Sequence, residues 1–148
     1  MKKLIEEENT AKRTNSRMYD QIERCRLDLQ KDPTNPALHV RLGDLYMKWH
    51  LDIFNACQYL DEAITEYQLA QESLIDSHEI LYKLGVAFYH KGDLDKAINY
   101  FTNALEKKNR YYDAYYMLAE AFIKKAHFSD AIDAAEAAAS DDQQKKRL

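Results

Sequence analysis

The chain has 148 residues, of which 46% are hydrophobic and 31% are charged. This composition is typical of an ordinary folded domain and excludes fibrous, disordered and membrane-embedded chains. Only three Gly and two Pro are present, too few turn-forming residues for a many-stranded sandwich or barrel, so an all-α fold is predicted. Residues 36–139 hold 10 basic and 16 acidic side chains, a net charge of −6 within a total of −4. Such a surface repels phosphate backbones, and no nucleic-acid partner is expected.

Compartment and redox state follow from three further observations. Three consecutive acids, Glu6–Glu8, interrupt the apolar segment that a signal peptide needs. No apolar run approaches the roughly 20 residues of a membrane span. Cys25 and Cys57 form no C-x-x-C pair and have no histidines at zinc-finger spacing, so both are interpreted as buried thiols. These observations predict a cytoplasmic protein with no membrane insertion and no metal site.

Helical periodicity recurs along the whole chain. The first predicted helix covers about 17–31, with Met18, Ile22, Cys25 and Leu29 on one stripe. Residues 6–17 have almost no apolar face, and they are expected either to be frayed or to continue this helix into solvent. Further helices are predicted at about 36–49, 58–75, 78–91, 94–108, 112–125 and 128–142, with Ser77, Gly92 and Asp93 as capping residues.

An internal repeat relates the later helices. Leu81–Phe88 aligns with Tyr115–Phe122, and the alanines after them keep the same offset, a period of about 34 residues. A further copy precedes these two, but Gly43 lies more than one period before its counterpart Gly85. This copy therefore holds an insertion of about 8 residues within 49–60. Repetition at this period is the signature of a stacked helical array.

The repeat resembles the tetratricopeptide repeat (TPR) family, through the motif positions Leu84, Gly85, Phe88, Gly92, Ala97, Phe101 and Ala104. The resemblance implies a solenoid of helix-turn-helix units, a right-handed superhelix of antiparallel helix pairs. It divides a single domain, 1–148, into an N-terminal partial repeat, three repeats and a short C-terminal tail. The predicted boundaries are 1–35, 36–77 with the insertion, 78–111, and 112–148 including the tail.

One face of the first helix in each repeat is left unused by that repeat's own core. At about 100° per residue, this face carries Val40, Asp44, Met47, Tyr82, Val86, Tyr89, Tyr116, Glu120 and Ile123, with Lys83, His90 and Lys124 at its edge. The TPR resemblance implies that these residues line a concave groove for a peptide or helix of another protein. Contiguous apolar and aromatic surface supports that role.

Three alternatives remain open for this surface. Val86 and Ile123 could instead pack against the neighbouring repeat, and the N-terminal segment or a second copy could fill the groove. The family's carboxylate clamp is not supported, because Val40, Asp44, Asp113 and Met117 stand where that clamp uses Lys, Asn, Lys and Arg.

Catalysis has little support in the sequence. No phosphate-binding glycine loop, H-E-x-x-H or G-x-S-x-G motif occurs, so no catalytic residue and no cofactor are predicted. His39 occupies a core position. The other four histidines are interpreted as exposed polar residues: His50, His78, His90 and His127.

Two segments suggest further contacts. In the insertion, Trp49, Leu51 and Phe54 are expected to cover the open end of the first helix pair, or else to form a second contact site. At the other end, Ala131–Ala139 is nearly all small residues and no capping helix follows it. An uncapped repeat exposes apolar surface, which makes a structural module that forms homo-oligomers the alternative to a partner-binding adaptor.

Overall fold

The computed structural model describes the backbone of residues 2–52 and 57–146 and the side chains of 16–51 and 59–140. Within these residues all regular secondary structure is helical, which confirms the all-α fold class. The helices are α1 (Lys2–Lys31), α2 (Pro36–Asp52), α3 (Cys57–Ser73), α4 (His78–Lys91), α5 (Leu94–Lys107), α6 (Tyr112–Lys124) and α7 (Phe128–Lys146). Their contacts group them into two compact units, Met1–Glu66 and Tyr67–Leu148, with the division inside α3.

In the N-terminal unit α1 packs along α2. The predicted stripe is confirmed at Met18, Ile22 and Cys25, which are buried, whereas Leu29 is half-buried. Cys25 is a free thiol whose sulfur donates to the Leu38 carbonyl oxygen at 3.5 Å, and burial raises the pKa of this thiol. The helix begins at Lys2, so the upstream residues continue the helix rather than fray. The side chain of Cys57 lies outside the described residues.

The predicted insertion lengthens the helices on both sides of it. α2 and α3 each have 17 residues, against 14 in α4 and in α5. Trp49 is buried, and its ring stacks on Tyr59 of α3 at 4.8 Å between centroids. Leu51 is exposed, so its predicted covering role is wrong. Phe54 lies outside the described residues.

In the C-terminal unit the predicted caps set the ends of α4 and α5. The Ser77 side chain accepts from the Ile80 amide, and Asp93 accepts from the Lys96 amide. Gly92 has φ +86°, the left-handed conformation that glycine adopts without strain. Helices that start and stop at these residues hold α4 and α5 as one antiparallel pair.

Small residues bring the paired helices close together. A Cβ atom built on Gly85 of α4 would lie 2.5 Å from Cε1 of Phe101 on α5, so the glycine makes room for the ring. In the next pair, Ala119 and Ala121 of α6 and Ala134 and Ala138 of α7 are buried. The last helix continues to Lys146, beyond its predicted end near 142, and incorporates most of the expected tail.

Candidate partner-binding face

Two neighbouring helices of the C-terminal unit present the predicted surface residues. Tyr82, Val86 and Tyr89 recur at i, i+4 and i+7 on α4, and Tyr116, Glu120 and Ile123 do the same on α6. Residues at this spacing share one side of a helix, and α4 and α6 contact each other directly. We call these six residues the α4–α6 face.

Glu120 links the two helices across this face. The Tyr89 hydroxyl donates to Glu120 Oε2 at 3.3 Å. The same carboxylate raises the pKa of Tyr116, first through its charge and then through a hydrogen bond. Lys124 Nζ lies 3.9 Å from the centroid of the Tyr89 ring, a cation–π contact. The polar groups of the face are therefore already oriented relative to one another.

Tyr82 is half-buried and lies beside two further aromatic rings. Its ring centroid is 5.9 Å from that of Phe101 and 5.1 Å from that of Tyr111. Burial, followed by the charge of Asp113, raises the pKa of Tyr82. Much of this side chain therefore stabilises the packing between repeats.

Tyr116 and Ile123 are the exposed apolar residues of the face, at 53% and 52% of their full accessibility. They lie two turns apart on α6, with Glu120 between them. Val86 of α4 is half-buried. The alternative that Val86 and Ile123 pack against the neighbouring repeat therefore stays open for Val86 but does not hold for Ile123, which is exposed.

The edge residues occupy different surroundings. His90 and Lys124 are exposed at the carboxyl-terminal ends of α4 and α6. Lys83 is half-buried, and its Nζ lies 5.9 Å from the centroid of the Tyr67 ring. Positive charge is thus concentrated near the last turns of the two helices, where it also complements the helix dipoles.

The remaining predicted groove residues belong to α2 in the N-terminal unit. Val40 and Asp44 are half-buried. Met47 is buried at 7% of its full accessibility, so it belongs to the core of its unit and is not open to a partner. The helical stripe placed it correctly on α2 but could not show how closely its neighbours cover it.

Sequence reasoning missed two polar clusters of the N-terminal unit. His39 is buried, as predicted, and its ring nitrogens lie 2.7 Å from Glu66 Oε2 and 2.9 Å from the Pro33 carbonyl oxygen. Arg26 donates through Nε and Nη2 to the Tyr46 hydroxyl, at 3.1 and 2.7 Å. The two side-chain pairs join positions far apart in sequence, on different helices, and no local motif signals them.

An apolar groove between α6 and α7 was also not predicted as a site. It has a volume of about 250 Å³ and is lined by Tyr112, Tyr116, Ala119, Ala135, Ala138 and Ala139. Nearby on α7, Phe128 and Ile132 are exposed at 63% and 58% of their full accessibility. The run of small residues is evident in the sequence, but the position of the tyrosine side chains opposite it depends on the packing of two helices.

The parts of the chain that the structure describes contain neither a metal-binding cluster nor a membrane-spanning helix. No group of three or more His, Cys, Asp or Glu side chains there is arranged to hold a metal ion. No helix in those same parts combines the length and the apolar character that crossing a bilayer requires.

Two family models match the sequence, and both describe a tetratricopeptide repeat. One matches residues 58–111 and the other residues 88–148, so together they span residues 58–148. The chain belongs to the tetratricopeptide repeat family, a class of helical protein-interaction modules. No curated protein matches the sequence significantly.

Solved structures of MamA share the fold. MamA MSR-1 superposes with a TM-score of 0.75 at 19% identity, covering 89% of this chain and 71% of its own. The MamA RS-1 ArsTM double mutant gives 0.80 at 12% identity, with coverages of 91% and 71%. MamA AMB-1 gives 0.69 at 21% identity, with coverages of 82% and 62%, so this chain spans less than two thirds of that protein. At these identities the similarity establishes the helical-repeat fold.

Proposed function

We propose that this chain is a non-enzymatic adaptor that binds an apolar or amphipathic segment of another protein on the α4–α6 face. The observation that carries the proposal is the exposure of Tyr116 and Ile123, two turns apart on a helix whose opposite side is buried. Exposed apolar side chains that cluster with ordered polar groups are typical of interaction sites. Tyrosine supplies contact area together with a hydroxyl group.

The shape of the face favours a helical or extended ligand. Anchors at positions 116 and 123 are separated by about 10 Å along α6, given a rise of about 1.5 Å per residue. Two turns of a docked amphipathic helix span the same distance, as in helix-in-groove recognition. Glu120 lies between the anchors and is oriented by Tyr89, so it provides a fixed acceptor for a donor on the ligand. Within the N-terminal unit, Val40 and Asp44 of α2 are proposed as partner contacts of that unit alone.

The proposal is tested by affinity capture from a native lysate with the variant Tyr116→Glu/Ile123→Glu. Both side chains are exposed, so the substitutions should leave helicity unchanged, whereas Tyr82→Glu would introduce a charge beside Phe101 and Tyr111. We expect the variant to lose specific partner bands.

The matched control is Phe128→Glu/Ile132→Glu, which adds the same charge on exposed apolar positions of α7. The adaptor proposal requires the control to retain the bands. Equal capture by the wild type and the α6 variant would contradict it.

A second candidate function is self-assembly through the C-terminal helix pair. In the preceding repeat, Phe101 and Ala104 of α5 are fully buried, and α6 packs on that helix. The corresponding positions of the next repeat are Ala135 and Ala138, which line the open groove between α6 and α7. A second copy of the chain would cover this groove as a further repeat would.

Light scattering separates the two candidates. Self-assembly predicts a mass above 17.4 kDa at micromolar concentration, and Phe128→Glu/Ile132→Glu should return the chain to that mass. A monomeric wild type over this range would rule self-assembly out as the main function, and the adaptor proposal would be unaffected.

A further inference from the structure

A solvent-open cavity of about 310 Å³ lies between α1 and α2 of the N-terminal unit, and it is lined by five exposed residues, Arg17, Asp20, Gln21, Arg24 and Arg41. The four residues of α1 recur at i, i+3, i+4 and i+7, which places them along one side of the helix. Arg41 comes from α2, so guanidinium groups line the cavity from two helices. A volume of this order suits a small ligand or a single ligand side chain.

The three arginines form no hydrogen bond and no ion pair with any described side chain. The neighbouring acids of α1 already have partners: Glu23 lies 2.8 Å from Arg26, and Asp28 lies 3.5 Å from Lys31. The lining therefore carries three positive charges and one negative charge, a net of +2. The whole chain carries −4, so this cavity stands out as a local positive site.

We propose that this cavity binds a phosphate monoester. A monoester carries a charge of about −1.5 to −2 at pH 7 and presents three acceptor oxygens. Its charge matches the net charge of the lining, and its oxygens can engage guanidinium groups that approach from separate helices. Arginine is suited to this task because its planar group donates two parallel hydrogen bonds to a phosphate. A monocarboxylate would leave part of the positive charge unpaired.

The charge argument also gives a signed expectation for Asp20. Its carboxylate is the lining's only negative group, and it repels a bound phosphate. Replacing it by asparagine preserves the size of the side chain and raises the local charge by one. Asp20→Asn should therefore bind phosphate more tightly, an effect that a site with a merely structural Asp20 would not produce.

Calorimetric titration of the full chain tests the proposal with inorganic phosphate, glycerol phosphate, and a phosphoserine peptide beside its unphosphorylated counterpart. We expect binding that weakens by on the order of tenfold or more in Arg24→Gln/Arg41→Gln and strengthens several-fold in Asp20→Asn. Tighter binding of the phosphopeptide than of the small phosphates would identify a phosphorylated protein as the source. Equal binding of all the phosphorylated probes would identify a free monoester.

The matched control is Lys31→Gln/Arg110→Gln, which removes the same charge from exposed positions outside the cavity. It should bind within about twofold of the wild type. The proposal is overturned if no phosphorylated probe binds the wild type at millimolar concentration. Equal weakening in both double variants would overturn it as well, since general charge would then explain the binding. Circular dichroism verifies that each variant keeps its helicity.

Discussion

Gly85 has no Cβ atom, and this absence permits α4 to pack closely on α5. An added Cβ would lie 2.5 and 2.6 Å from two atoms of the fully buried Phe101 ring, so the ring would have to shift. Overpacking of this kind costs about 1–3 kcal/mol. The better helix propensity of alanine returns about 1 kcal/mol.

Gly85→Ala should therefore lower the free energy of unfolding by up to about 2 kcal/mol, as measured by urea denaturation. Ala119→Gly is the control, because it changes the corresponding position of the next repeat, where alanines line the facing side of α7. Its loss should reflect helix propensity together with the removal of one buried methyl group, about 1–2 kcal/mol. A Gly85→Ala chain that is more stable than the wild type would show that Phe101 has room to move.

The ionisation of Tyr111 affects the stability of the fold at high pH. Burial, together with the nearby Tyr82, Asp113 and Glu79, raises the pKa of Tyr111 from 10.0 to about 12. The folded state therefore holds this phenolic proton more tightly than the unfolded chain does. The resulting stabilisation is complete below pH 10 and is lost as the pH rises towards 12.

The difference in unfolding free energy between the wild type and Tyr111→Phe should accordingly be constant up to about pH 10. Above that pH the wild type should lose stability relative to the variant. Chemical denaturation at a series of pH values measures this difference. Tyr112→Phe, which alters an exposed neighbouring ring, should follow the wild-type curve. A wild type and a Tyr111→Phe variant with parallel curves up to about pH 12 would contradict the assignment.

At the scale of helices, the His39–Glu66 pair connects α2 to α3 within the N-terminal unit. His39 also contacts the Pro33 carbonyl oxygen in the turn between α1 and α2, so one ring joins three segments. Both side chains are largely buried, at 11% and 18% exposure. Removing one member leaves the other desolvated and without its partner.

His39→Ala should destabilise the protein by about 2–4 kcal/mol in thermal or chemical unfolding. His127→Ala is the matched control, since His127 is exposed and lies 3.6 Å from Asp130. Its effect should stay within about 0.5 kcal/mol. Similar losses in the two variants would mean that the buried pair has no special role.

Helix positions were predictable because each depends on residues close together in sequence. Ser77, Gly92 and Asp93 mark helix ends through their own local hydrogen bonds and dihedral angles, and the structure places α4 and α5 accordingly. The period of the internal repeat identified the family in the same way. Local chemistry of this kind is largely independent of tertiary context.

Features that depend on distant residues were not predictable. Met47 lies on the expected side of α2, yet its burial depends on neighbours that a helical wheel does not contain. Leu51 is apolar and lies in the last turn of α2, yet it is exposed. The contact of Tyr89 with Glu120 joins two helices that are not consecutive in the chain. Arg41 of α2 lines a cavity with two arginines of α1, and their proximity depends on how the two helices pack.

For the whole molecule, the two compact units are associated with different chemistry. Met1–Glu66 contains the buried His39–Glu66 pair and the arginine-lined cavity, and Tyr67–Leu148 contains the α4–α6 face. The division into a partial repeat, 1–35, and repeats 36–77, 78–111 and 112–148 stays a prediction. The proposed phosphate site and the proposed partner face share no residues, so variants at one should leave the other unaffected.

Site-specific photo-crosslinking tests the central claim, that the α4–α6 face holds a partner protein, most directly. A benzophenone amino acid is placed in separate chains at position 116, at position 123 and at the exposed position 103 on α5. Irradiation in native lysate, followed by mass spectrometry, identifies what each position touches. We predict the same heterologous protein at 116 and 123 and its absence at 103. Adducts of equal yield at all three positions, or adducts only with a second copy of the chain, would contradict the claim.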